Sequence, residues 1–362
     1  MKIRKILLEI YSLENAGAQH MISDLAVYYK QKGLDVCLVV LEKSPENALS
    51  KELLLNGVKI VYGSNDDIWI KKKIRQYITL KTTVDKFKPD VIHGNTEYRC
   101  LWLYALIHGK TFVETFHSQA FRLNNWRTVL LFKILHKKKL IVPVVLSPIN
   151  AREYVELFKL HNEELEIIPN PIVLEHFIKR KYKDKQEVVF GLAARFNSIK
   201  RHDLLISAFS ILIKEGYDCQ LILAGEGDTI ADIKELVKSY NLQDRVKFLG
   251  DISDVSLFLD EVDVGVMSSD SECFPIFLLE CMAKGIPVIA TGVGGVPDII
   301  KDNGIIVEKG KDVQLAKAME ELASSSEKRK QKGEKGRIYA SEYDVRWVAE
   351  KYLSVYEKVD KK

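Results

Sequence analysis

Cysteine is scarce and forms no paired pattern. The five present, Cys37, Cys100, Cys219, Cys273 and Cys281, are an odd set with no CxxC, which argues against both a disulfide framework and a zinc site. Long hydrophobic runs are missing too: the longest is the eight residues 100–107, far short of the roughly 20 that span a bilayer. At the start, Glu9 interrupts the apolar stretch behind the basic MKIRK, leaving it too short for a secretory signal. No P-loop, HExxH or GxSxG occurs, and the eight histidines include no pair at metal-ligand spacing. Low complexity is confined to SSSEKRKQKGEKG (324–336), and no repeat of 20–50 residues is present. These absences predict a cytoplasmic chain without a membrane span, and they speak against P-loop ATP hydrolysis and zinc catalysis.

What is present reads as an ordinary globular protein. Hydrophobic residues make up 47% and charged residues 29%. The 362 residues suit roughly two domains at about 150 residues each. The net charge of +4 hides an asymmetry, because residues 1–180 carry +8 and residues 181–362 carry −4. Such a split concerns partners more than fold.

Short apolar runs alternate with helix-length amphipathic segments throughout. The first half holds KILLEI, VCLVVL, VKIVYG, DVIHGN, TFVETF, VPVVLS and LEIIPN; the second holds VVFGLAA, CQLILAG, VKFLG, VDVGVM, IPVIAT and GIIVE. Runs that are apolar throughout suggest parallel strands buried on both faces. Helical patterns lie between them, at 18–32, 97–108, 202–215 and 229–240. The class expected is therefore α/β, with doubly wound layers. The stretch PNPIVLEHFIKRKYKDKQ (169–186) has two prolines and no periodicity, and it marks the boundary between domains. Near the end, Val345, Val348, Ala349, Tyr352 and Tyr356 form a helical stripe that needs a surface to cover.

Chemistry concentrates in the second half. Glycines at 225 and 227 follow a strand, but the third glycine of a dinucleotide fingerprint is missing, so GEG reads as a strand-to-helix turn. In SSDSECFPIFLLECMAKGIPVIAT, Glu272 and Glu280 stand eight apart, and Pro275 suits the first turn of a helix. The free amides of that turn could meet anionic or hydroxyl groups. Glu280, set among Ile276, Phe277 and Ala283, borders the core and needs hydrogen-bond donors, for which ribose or sugar hydroxyls are suited. Structural capping by both carboxylates is the alternative. Arg195 closes the strand VVFGLAA, and Lys200 follows five residues later. Cations at the carboxyl end of such a strand sit where open α/β sheets bind ligands, although a solvated loop would also carry them.

Taken together, these segments resemble a family 4 retaining glycosyltransferase of the GT-B fold, of the type that builds bacterial surface polysaccharides. Glu272 to Glu280 matches the family's E-x7-E element, GLAARFNSIKRHDLLISAF its Arg…Lys segment, and LILAGEGD and VKFLGDISD its neighbouring strands; IIPNPI resembles the interdomain linker. The resemblance implies two Rossmann-like domains facing a cleft. Residues 1–170 would be the acceptor-binding domain, 171–342 the nucleotide-sugar domain, and 343–362 a helix crossing back to the first. It implies that Arg195 and Lys200 hold the donor diphosphate, a UDP-sugar's, and stabilise it as it leaves. Glu280 would bind the ribose hydroxyls. Glu272, with the backbone at Phe274, Pro275 and Ile276, would meet the transferred sugar. Gly17 would let the first loop approach the phosphates, and His117 in ETFHSQ would stand beside the sugar. No cofactor or metal is implied, the sugar nucleotide being a substrate. Ala16, Asn95, Asp298 and Asn170-Pro171 depart from the commoner residues at their positions.

The first half also has two basic stretches. Residues 71–88 carry seven Lys and Arg against one acid, and residues 121–140 carry six against none, with Trp126, Val129, Leu130 and Ile134 on one stripe. A basic amphipathic helix bearing Trp suggests docking on an anionic membrane, hence the inner face of the plasma membrane and a lipid-linked saccharide acceptor. A solvated helix face is the alternative. Nucleic acid is not expected, because no binding motif is present and the second half is acidic. A catalytically silent glycosyltransferase-like partner of another enzyme is the rival function, but such a partner would be expected to have lost some of Arg195, Lys200, Glu272 and Glu280.

Overall fold

Each of the thirteen apolar runs folds as a strand. The computed structural model describes residues 3–14, 17–65, 68–95, 99–179 and 187–360. Ala16 of the first loop, residues 180–186 of the expected linker and the last two residues of the chain lie outside the described residues. The chain divides into one unit of Met1–Pro171 with Val345–Lys362 and a second of Ile172–Asp344.

The first unit holds β1 (Lys5–Ile10), β2 (Asp35–Val40), β3 (Lys59–Tyr62), β4 (Val91–Gly94), β5 (Phe112–Phe116), β6 (Ile141–Val145) and β7 (Glu166–Ile167), all parallel, in the order β3-β2-β1-β4-β5-β6-β7. After their first residues, the side chains of β1 and β2 are buried on both faces, Glu9 among them. The chain moves outward from β1 to β3, then crosses to β4 and moves the other way. Right-handed crossovers therefore put helices Gly17–Gln31 and Ala48–Leu55 on one face. Helices Trp69–Phe87, Arg99–His108 and Trp126–Lys137 lie on the other, packed side by side in that order. Local signals set helix starts: the Asn47 side chain caps Ala48–Leu55, Asn125 caps Trp126–Lys137, and Ser147 with Pro148 opens Pro148–Phe158.

The C-terminal stripe finds its surface on this unit. Helix Val345–Asp360 packs on Gly17–Gln31, β4 and β5, and Val348, Ala349, Tyr352 and Tyr356 are fully buried. Buried polar groups fix its register. The His93 Nδ1 lies 2.6 Å from the Tyr356 hydroxyl and its Nε2 lies 2.7 Å from Thr115 Oγ1, which is 3.0 Å from the Tyr352 hydroxyl. Burial lowers the His93 pKa to about 3, so the ring is neutral and donates through one nitrogen while accepting through the other.

The second unit holds β8 (Val188–Ala193), β9 (Cys219–Ala224), β10 (Val246–Phe248), β11 (Val264–Met267), β12 (Val288–Thr291) and β13 (Gly304–Val307), parallel, in the order β10-β9-β8-β11-β12-β13. Its strand order reverses between β8 and β11, a topological switch point where sheets of this kind bind ligands. One segment departs from expectation. The low-complexity stretch is most of a 15-residue helix, Ser326–Ala340, capped by the Ser325 side chain. Its glycines serve close packing rather than flexibility: a Cβ on Gly336 would meet Met282 Cγ at 3.4 Å. The start of the expected linker is likewise tied down, since the Ile172 amide donates to the Tyr343 carbonyl at 2.8 Å.

Candidate active site

The loops after β8 and β11 are braced against each other at the switch point. After β8, Asn197 caps a short turn, its side chain accepting from the amides of Ile199 and Lys200 at 3.1 Å each. Arg201 then takes a left-handed conformation (φ 50°) before helix His202–Lys214 begins. From the β11 loop, the Ser268 hydroxyl lies 3.0 Å from the Lys200 carbonyl oxygen and 2.8 Å from that of Arg201. The Asp270 amide donates to the Ile199 carbonyl at 2.7 Å. Arg201 spans both loops, donating to Asp203 at 2.9 Å and to Asp270 at 3.3 Å. Its guanidinium holds the Asp203 carboxyl below the usual carboxylate range.

This bracing brings two of the expected site residues together. Lys200 Nζ donates to Glu272 Oε1 at 2.6 Å, with the carboxylate side chain only 10% exposed. Arg195 is exposed one residue before the buried Phe196. What aims that loop is the GEG turn. Gly225 (φ 125°) and Gly227 (φ 151°) lie against its backbone, and a Cβ on them would meet the Ala194 and Phe196 carbonyl oxygens at 2.2 and 2.1 Å. The turn is thus a support for the segment carrying Arg195, a role its spacing alone did not disclose.

Glu280 lies in the second turn of helix Ile276–Lys284. The residue is only partly exposed. Burial raises its pKa to about 7. Pro275 differs from expectation: it is the cap residue (φ −71°, ψ 119°) just before the helix, and no side chain caps the first turn among the described residues. Proline has no N–H, so of residues 274–276 only Phe274 and Ile276 can donate through the backbone. At the far end Arg337, from the helix the sequence left unread, donates to the Ala283 carbonyl and, at 3.0 Å, to the Phe177 carbonyl. Arg337 thereby fixes the helix that carries Glu280.

In the first unit, Gly17 is the first residue of the helix after β1, and His117 and Asn95 follow β5 and β4. Burial lowers the His117 pKa to about 4, so at neutral pH it can act by hydrogen bonding and not as a cation. Its Nε2 has no partner among the described residues, and neither has the Asn95 Oδ1. The Asn95 amide group is turned to the His93 carbonyl at 3.3 Å. Among the described residues no helix is long and apolar enough to cross a membrane.

Comparison with known proteins identifies the family and the fold. The family model described as Glycosyltransferase Family 4 matches residues 16–176, and the model described as Glycosyl transferases group 1 matches residues 175–339. The chain is 33% identical over 185 residues to the N-acetyl-alpha-D-glucosaminyl L-malate synthase of Bacillus anthracis, covering 50% of this chain and 48% of that protein. The match thus spans about half the length of that relative. To the putative glycosyltransferase EpsF of Bacillus subtilis it is 24% identical over 311 residues, 79% of this chain and 78% of that one. Among solved structures, Anabaena Alr3699/HepE in complex with UDP and glucose superposes with a TM-score of 0.84 at 17% identity, covering 98% of this chain and all of that one. A glycosyltransferase from Rickettsia africae gives a TM-score of 0.85 at 19% identity over the whole of both chains. At that identity the likeness establishes the fold, which is GT-B.

Proposed function

We propose that this chain, which belongs to the family 4 glycosyltransferases, moves a sugar from a nucleotide diphosphate donor to a saccharide acceptor. The observation that carries the reading is the Lys200–Glu272 pair at the switch point, 2.6 Å long and braced by Ser268 and Arg201. Ligands of doubly wound sheets occupy that position. In this reading Lys200 and Arg195 meet the diphosphate, the Glu280 carboxyl accepts ribose hydroxyls, and Glu272 with the Phe274 and Ile276 amides meets the sugar. The bond between the anomeric carbon and the diphosphate oxygen breaks, an acceptor oxygen bonds to that carbon, and the acceptor hydroxyl's proton passes to the departing diphosphate. Stabilising the departing diphosphate is the main demand, and fixed cations and helix amides suit it. Neutral His117 would hydrogen-bond the sugar, with Gly17 admitting the phosphates.

Finer assignments belong to the same proposal. The donor is a UDP-sugar, supported by the structural relative holding UDP and glucose. Transfer retains configuration and needs no resident cofactor or metal. The acceptor is a lipid-linked saccharide, reached while the basic stretches 71–88 and 121–140 dock the enzyme on the inner face of the plasma membrane. A panel of sugar nucleotides tests the proposal through release of the nucleoside diphosphate with and without acceptor. Turnover of at least one donor is expected. Tight nucleotide binding with no turnover of any donor would instead favour the silent partner.

A further inference from the structure

We propose that Tyr343 is a positioning residue for the donor sugar. It anchors Phe274, and with it the amides that meet the sugar, to the place where the chain passes between its two units. The segment between Glu272 and helix Ile276–Lys284 is only Cys273, Phe274 and Pro275. Its upstream side is held by polar bonds: the Thr291 hydroxyl donates to the Ser269 carbonyl at 2.5 Å, and the Gly295 amide donates to the Glu272 carbonyl at 3.4 Å. Downstream, Pro275 has no N–H to donate, and no side chain caps the first turn among the described residues. Phe274 supplies a hold there through its ring. Phe274 is 5% exposed, and its ring centre lies 5.5 Å from that of Tyr343 with the planes at 62°. Aromatic rings favour this edge-to-face arrangement. With its side chain pinned, the Phe274 backbone has little room to turn, and its amide keeps one direction.

Tyr343 is itself well fixed. It ends the short turn Ser341–Tyr343, is 9% exposed, and stands one residue before Asp344, the last of the second unit. Its carbonyl accepts the Ile172 amide at 2.8 Å, and Ile172 pairs with Asp344 in a parallel bridge. Ile172 is the first residue of that unit, so both passages of the chain between units run beside Tyr343. One ring therefore joins the sugar-meeting loop to both passages. Burial, with Glu342 and Asp298 nearby, pushes the Tyr343 hydroxyl up to about 12. The side chain stays neutral at working pH and acts on Phe274 by packing, a task a phenylalanine ring would perform as well. The inference deepens the proposed function and rests on it for the claim that the Phe274 and Ile276 amides meet the sugar. Arg195 and Lys200, assigned to the diphosphate, lie on another loop, and Glu280 lies within the body of its helix. Nucleotide binding should therefore not depend on Tyr343.

The test compares Tyr343→Ala with Tyr343→Phe on the donor found active, reading kcat, KM and, by titration calorimetry, UDP affinity. Tyr343→Ala is expected to lower kcat on the order of tenfold or more through misplacement of the sugar, with UDP affinity unchanged. Tyr343→Phe should turn over as wild type does. Phe274→Ala should lower kcat as well, and the double variant should lose no more than the worse single one, because both act through one contact. Should Tyr343→Ala not fold in a thermal melt, Tyr343→Leu, apolar but without the ring, takes its place with the same expectations. Wild-type turnover in the alanine or leucine variant, equal loss of turnover and UDP affinity, or a phenylalanine variant as slow as alanine would each overturn the proposal. Hydrogen–deuterium exchange gives a reading that needs no catalysis. Residues 272–280 should exchange faster in Tyr343→Ala, and residues 195–201 as in wild type. If wild type turns over no donor, the transferase reading fails and exchange alone decides this one. Unchanged exchange at 272–280 would overturn it even in a protein that proves to be an active transferase.

Discussion

Replacing Glu280 with Gln should make the protein more stable and a poorer binder of nucleotide at the same time. Burial raises this carboxyl from an ordinary 4.5 to about 7. The folded state therefore holds a proton that the unfolded chain has already lost. Between those two values stability falls as pH rises, and above pH 7 the full cost is present. At 1.36 kcal/mol per unit, the shift corresponds to about 3 kcal/mol. Gln removes the charge and leaves a neutral amide, so at pH 8 the melting temperature should rise. For a unit of this size roughly 2–4 °C per kcal/mol gives several degrees. The gain should shrink toward pH 5, where the wild-type carboxyl is protonated. The same substitution takes away a charged acceptor for ribose hydroxyls, a loss of about 1.5–3 kcal/mol or roughly 10- to 150-fold in UDP affinity. Wild-type affinity should tighten from pH 6 to pH 8, and that of the variant should not. Thermal melts at the two pH values and titration calorimetry with UDP read both effects. A lower melting temperature at pH 8, or unchanged UDP affinity, would refute the reasoning.

Arg195→Ala and Lys200→Ala should each reduce turnover by on the order of 10²–10³, the usual consequence of losing one group that stabilises developing charge; steady-state kinetics on the donor found active decides this, and unchanged rates would return both residues to a solvated loop. Gly227→Ala would press a methyl group onto the Phe196 carbonyl at a φ of 151°, so a loss of about 1–3 kcal/mol is expected in denaturant melts, with weaker UDP binding as the Arg195 segment shifts. Tyr356→Phe leaves the His93 Nδ1 buried without its partner, and unfolding in urea should register a loss of about 1–3 kcal/mol with nucleotide affinity unchanged.

The strands were legible because a parallel strand buried on both faces is largely apolar, as VCLVVL and VVFGLAA are, while the half-exposed strands of VKIVYG, LEIIPN, VKFLG and GIIVE were legible from their alternation with helical segments. The C-terminal helix was legible for a similar reason, its stripe being too apolar to face water. Helix Ser326–Ala340 was not legible, since it buries glycines and an arginine instead of an apolar stripe, and its packing is set by Met282 on another helix. Within the site, Lys200 and Glu272 could be named from their motifs. The Ser268 and Arg201 contacts that join their loops depend on strand order, which no local pattern carries. Pro275 was placed one residue too far into its helix because proline suits the cap and the first turn alike. The supporting role of Gly225 and Gly227 was hidden, because what they approach is backbone far away in sequence.

Hydrogen–deuterium exchange with and without UDP probes most directly whether the second unit holds the donor. Protection is expected at 195–201 and 268–284, around the paired Lys200 and Glu272 and the helix bearing Glu280. It should be lost in the Glu280→Gln variant at the same UDP concentration. Protection confined to the first unit, with these two segments exchanging as in the free protein, would contradict the assignment of the donor site.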